Sequence, residues 1–141
     1  MRSWEAYSEA PAGTWRTTIG IIAGADNVLL QQADLSLITL RVWRSSGLER
    51  DAELLYQANV PIGTTVFDVP QTDSWWDAAL SGGDGYNFRH TLKVGDPATP
   101  GADQIILTGG ETYELEYEFA TLSKGPIFVV HHARVEPILS R

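Results

Sequence analysis

The stretch "TYELEYEF", residues 112–119, constrains the fold more than any other part of the chain. Tyr113, Leu115, Tyr117 and Phe119 alternate with Thr112, Glu114, Glu116 and Glu118. Successive side chains of a strand point to opposite faces, so this segment presents one apolar face and one acidic face. On a helix the same glutamates would be spread around the circumference. The segment is therefore a half-buried strand, and its apolar face needs a second layer to cover it.

Other segments repeat the period of two. "TWRTTIGII" is β-branched and alternating, and "GADN" after it supplies turn residues. "LSLITLRVWR", residues 35–44, sets Ile38, Leu40 and Val42 on one face and Thr39, Arg41 and Trp43 on the other. "AELLYQANV" and "GTTVFDV" read as two short strands separated by Pro61 and Gly63, with Pro70 closing the second because proline cannot donate to a ladder. In "GYNFRHTL", Tyr86, Phe88, His90 and Leu92 are expected on one face and Asn87, Arg89 and Thr91 on the other. "LSKG" turns into "PIFVVHHARVEPIL", a final strand expected to form a hairpin with its predecessor. A single helical turn is expected only in "TDSWWDAALSGGDG", capped by Thr72 or Asp73, while "KVGDPATPGADQ" reads as a loop.

Seven to eight short strands without a long helix predict an all-β, immunoglobulin-like antiparallel sandwich. The position of Tyr113, opening the penultimate strand after a glycine-containing corner, matches the tyrosine corner of such domains. The chain of 141 residues suits a single sandwich domain over residues 14–141. Residues 1–13 are expected to form an N-terminal arm, in which Trp4 and Tyr7 either tuck onto the arm's own domain or anchor a neighbour.

Charge and composition narrow the function. Ten Lys and Arg against 18 Asp and Glu leave a net charge of −8, which lacks the electrostatic term behind nucleic-acid affinity. No long apolar run or signal-type leader is seen, and the chain has no cysteine, which excludes disulfides, thiolate nucleophiles and Cys-based zinc sites. These features fit synthesis in a reducing cytoplasm without a membrane partner.

The candidate chemical groups each have a structural reading beside the chemical one. His90 could act as a base or bind metal with His131 or His132 and a carboxylate, but the expectation is a hydrogen-bonded strand histidine, with no metal and no cofactor. Glu114, Glu116 and Glu118 stand roughly 6.8 Å apart along the strand, close to the spacing of glycosidase carboxylates. Without a cleft to desolvate one of them they read as a solvated face, open to pairing with Arg41, Arg89 or Arg134. Asp26, Asp34, Asp73, Asp77 and Asp84 fall in or near turns without a known calcium-loop spacing, and "GGDG" is a turn rather than a phosphate cradle. Five tryptophans, at 4, 15, 43, 75 and 76, are many for this length. Exposed tryptophan suggests either a protein contact or the stacking platform of a carbohydrate-binding module.

"LLQQADLSLITLRVWRSSG", "DGYNFRHTL" and "GGETYELEYEF", in that order, resemble small proteins encoded in the virion-structure modules of tailed bacteriophages. They are also similar to the immunoglobulin-like N-terminal domain of siphophage baseplate upper proteins. The resemblance spans residues 19–136 and implies a non-enzymatic virion component, made in the host cytoplasm and bound to capsid, neck or tail subunits, with self-association as a further option. A stand-alone head, neck or tail accessory is the expected form, since no fused fibre segment is present. Trp4, Tyr7, Trp43, Trp75, Trp76 and Arg89 are the candidate partner-binding residues.

Overall fold

The computed structural model describes residues 2–6, 15–24, 27–46, 49–73, 85–93, 111–123 and 125–134. Among these residues eight strands run in chain order: β1 (Arg2–Ala6), β2 (Trp15–Ile21), β3 (Leu35–Ser46), β4 (Glu49–Asn59), β5 (Val66–Gln71), β6 (Tyr86–Lys93), β7 (Thr112–Thr121) and β8 (Pro126–Arg134). One antiparallel sheet has the order β1-β2-β6-β5 and the other β4-β3-β7-β8. That is the ABED sheet of immunoglobulin-like domains facing a CFG sheet extended by one strand, β4. The fold expected from the alternating segments is thus an all-β sandwich with immunoglobulin topology.

The core lies between the sheets. Ile38, Leu40 and Val42 of β3 and Tyr113, Tyr117 and Phe119 of β7 are fully buried, and Leu115 nearly so. Phe88 of β6 reaches across the layers and meets Tyr117 and Phe119 edge-on, with ring centroids 5.1 Å apart in both pairs. Truncating an aromatic so placed to alanine costs about 3–5 kcal/mol, so this trio is a main tie between the layers. Tyr113 is buried at the start of β7, where a tyrosine corner sits.

Asn87 of β6 closes the β1-β2-β6-β5 sheet at one end. Its side-chain oxygen accepts from the Ile22 amide at 2.7 Å, and its nitrogen donates to the carbonyls of Ile22 and Leu30 at 2.9 and 3.0 Å. Beyond Gly20↔Phe88, the last β2–β6 pair, a side chain therefore does the work of a strand and fastens the β2–β3 connection. Within that connection, Asn27 adopts φ 63° and the Gly24 amide donates to Val28, as the turn residues of "GADN" require.

Several expectations need correction. Tyr86 does not share the core of Phe88 and Leu92 but packs with Ile19, Ile21 and Phe67 in a separate cluster. The cause is local: β5 and β6 pair only at Val66↔Phe88 and Gln71↔Tyr86, with a break between them. Gly85 enters β6 at φ +136°, with the Gln71 carbonyl 2.6 Å from where a Cβ would sit. "AELLYQANV" belongs to an eleven-residue strand, and Gly63 lies in a helical turn, α1 (Ile62–Thr65), rather than in a strand. Pro70 sits inside β5, which an edge strand tolerates. Arg2–Ala6 of the expected arm form edge strand β1, in register with β2 from Arg2↔Ile21 to Ala6↔Thr17. The helical turn expected within 72–85 and the loop at 93–104 fall mostly outside the described residues.

Candidate functional site

Among the described residues, the outer face of the β4-β3-β7-β8 sheet carries the densest set of charged groups. Arg41 stands opposite Glu116, and Trp43 opposite Glu114, in the β3–β7 register. The Arg41 guanidinium donates to Glu118 at 2.7 Å and to Glu116 at 3.4 Å. The Glu118 hydrogen bond is the main reason its pKa stands above the ordinary arginine value. Arg50, reaching in from β4, donates to Glu116 at 3.0 Å, pairs with Glu114 and lies over the Trp43 ring, 3.6 Å from its centroid. Two guanidiniums thus bridge three carboxylates, and Glu114 is buried in the process. The expected solvated face is instead a cross-strand lattice: of the arginines offered by the sequence Arg41 makes the pairing, Arg50 joins it and Arg89 does not, while the Arg134 side chain lies outside the description.

Arg89 belongs elsewhere. It donates to the Tyr86 hydroxyl at 2.8 Å and approaches Asp73 at 3.5 Å, on the opposite sheet and beside the Phe67 ring. Tyr86 in turn donates to both Asp73 oxygens at 2.9 Å. Burial and the Asp73 hydrogen bond push its phenol up to about 12, with Arg89 opposing, so Tyr86 remains a neutral donor.

His90 faces Tyr117 across the layers, its Nδ1 2.8 Å from the phenol oxygen and the two rings edge-on at 5.6 Å. Burial lowers its pKa to about 4, so the ring is neutral near pH 7. It borders a cleft of about 310 Å³ lined by Pro61, Thr64, Thr65, Arg89 and Thr91. Thr65 donates to the Pro61 carbonyl at 2.6 Å. Among the described residues no group of three His, Asp or Glu side chains is placed to hold a metal ion. His131 stands opposite Leu115 on the inward-facing register of β8, and His132 opposite Glu114. Asp34 is bonded by the Gln31 amide at 2.8 Å and caps the 3-10 turn Gln32–Asp34.

The structure does not gather the candidate partner-binding residues into one site. Trp43 lies on the outer face of the second sheet and Arg89 on that of the first. Trp4 stands opposite Ile19 in the β1–β2 register. Tyr7, Trp75 and Trp76 lie outside the described residues, as do Asp26, Asp77 and Asp84.

What the sequence reading missed is an apolar corner on the second sheet. Leu37 stands beside Ala120, which stands beside Pro126, and Phe128 and Val130 continue down β8 on the same face. Leu37, Phe128 and Val130 are 43%, 51% and 42% exposed. The signal was the unbroken apolar run "IFVV", which offers no polar residue for an outward side.

Fold and surface together define a small immunoglobulin-like sandwich with one charged, cross-braced face that ends in an apolar corner. No family model, curated protein or solved structure matches the chain. No helix among the described residues is long and apolar enough to cross a membrane.

Proposed function

We propose that the chain is a non-enzymatic structural component of a tailed-phage virion, a head decoration, neck, tail or baseplate accessory that works by protein–protein adhesion. The observation that supports this reading is the exposed corner of Leu37, Phe128 and Val130 on an otherwise braced sheet face. Burying such side chains yields about 25 cal/mol per Å² of apolar surface, which offsets the cost of association best when the contact is repeated on a particle. Among the described residues, His90 is engaged with Tyr117 and the three glutamates with Arg41 and Arg50. The Trp43 ring is covered by Arg50, which favours a bracing role over a sugar-stacking platform.

The net charge of −8 favours a partner surface whose apolar patch is rimmed with lysine and arginine. The test is particle composition. Virions purified from the source that encodes the chain should carry it in many copies by quantitative mass spectrometry, and Phe128→Lys should reduce its incorporation. A chain abundant in the lysate but missing from intact particles would overturn the proposal, and saturable binding to a polysaccharide panel would favour a carbohydrate-binding module.

A further inference from the structure

The cleft beside His90 is built by the way β5 meets its sheet. β5 pairs with β6 no further than Val66↔Phe88, and the chain reaches Val66 through α1 instead of through more strand. Adjacent strand residues point to opposite faces, and the edge left open here lets both kinds border one space. Arg89, His90 and Thr91 of β6 thus share the cleft of about 310 Å³ with Pro61, Thr64 and Thr65. Its size is at the small end for small-molecule sites. Its walls are fixed. The Gln32 side chain donates to the carbonyls of Gly63 and Val66 at 3.3 and 2.8 Å, on either side of Thr64 and Thr65, and β6 is paired with β2 through Thr18↔His90.

The polar side chains of the cleft are held from behind. The fully buried Tyr117 fixes the His90 ring through Nδ1. A phenol is the stronger donor of the pair and an imidazole nitrogen the stronger acceptor, so the hydroxyl donates to Nδ1 and the neutral ring carries its proton on Nε2. Among the described residues Nε2 meets no hydrogen-bond partner and is not a sealed atom, so it opens to the cleft that His90 lines. The Arg89 guanidinium is fixed by the Tyr86 hydroxyl at 2.8 Å and by Asp73 at 3.5 Å, while no carboxylate lies among the lining residues. An imidazole N–H, a guanidinium and the hydroxyl of the exposed Thr64 therefore border one small space. We propose that this cleft binds the carboxylate of a small organic acid. A carboxylate carries one charge over two oxygens, which one guanidinium and a neighbouring N–H can match. The larger charge of phosphate would meet a single guanidinium that already stands beside Asp73, in a chain of net charge −8.

The inference does not depend on the virion reading, because its test needs only the purified protein. Nuclear magnetic resonance of the imidazole nitrogens should find the His90 proton on Nε2. When sodium acetate replaces sodium chloride at constant ionic strength and pH 7, the His90 Nε2 signal and the amides of Thr64 and Thr91 should shift saturably, with half-saturation in the millimolar range. Arg89→Gln should weaken this binding by roughly tenfold or more, and Arg89→Lys, which keeps the charge but not the fork, should recover part of the loss. Phe128→Lys, which adds a charge on the other sheet, should leave it unchanged. Shifts that never saturate, acetate binding as tight in Arg89→Gln as in the wild type, or tighter binding of inorganic phosphate than of acetate overturns the inference.

Discussion

Acidification should weaken the fold through His90 in a range where the carboxylates are still ionised. Burial holds this imidazole near a pKa of about 4, against 6.5 for a free histidine. A folded-state value below the unfolded one means that the unfolded chain takes up the proton first. The stabilisation is therefore complete above pH ~6.5, and falls as pH drops from there towards ~4, where the folded ring also protonates. Between about pH 7.5 and pH 5 the two values imply a loss of ~2 kcal/mol. The group is partly accessible at the cleft, so this figure is an upper bound.

Urea unfolding of the wild type and of His90→Gln should be followed in parallel across that interval. The variant removes the titration and retains a polar side chain next to Tyr117. The other two histidines of the chain are common to both proteins, so whatever they contribute cancels in the difference. The stability gap between variant and wild type should shift in the variant's favour by up to ~2 kcal/mol on going to pH 5. A gap that stays constant within ~0.3 kcal/mol would show that His90 is hydrated in the folded state and would refute the reasoning.

Other substitutions probe the remaining devices. Asn87→Ala strips three hydrogen bonds from buried backbone groups of Ile22 and Leu30 and should cost about 2–4 kcal/mol by chemical denaturation, with faster amide exchange at Ile22. Gly85→Ala should destabilise by roughly 2–3 kcal/mol, because the new Cβ would meet the Gln71 backbone at 2.6 Å. Gly125→Ala, at φ +75° with open space around it, should cost only about 1 kcal/mol by the same chemical denaturation. Arg50→Ala leaves Glu114 buried with a cation removed. A double-mutant cycle with Glu114→Gln should return a coupling of about 1 kcal/mol that falls at high salt.

The sandwich was legible wherever one face of a strand is buried and the other is polar. In β7 and β3 every residue of the apolar set lands in the core, because a shift of one residue would expose all of them. Tyr86 defeated the same logic because alternation presumes unbroken pairing, and the β5–β6 ladder breaks beside it. Arg50 was overlooked because "ERD" after a glycine-containing turn reads as local charge, whereas its partners lie two strands away on β7. The apolar corner on β8 was hidden because both faces of "IFVV" are apolar, so no pattern separated inside from outside. Of the candidate site residues, Trp43 and Arg89 sit on their expected faces, but their roles depend on neighbours distant in sequence.

The two layers are held by the Phe88, Tyr117 and Phe119 rings and by the contact of His90 with Tyr117, in a chain that has no thiol. Reductants and oxidants therefore have no handle on the joint between the sheets. The protein should melt at the same temperature in dithiothreitol as in air, since closing the joint between its layers calls for no thiol chemistry in either medium.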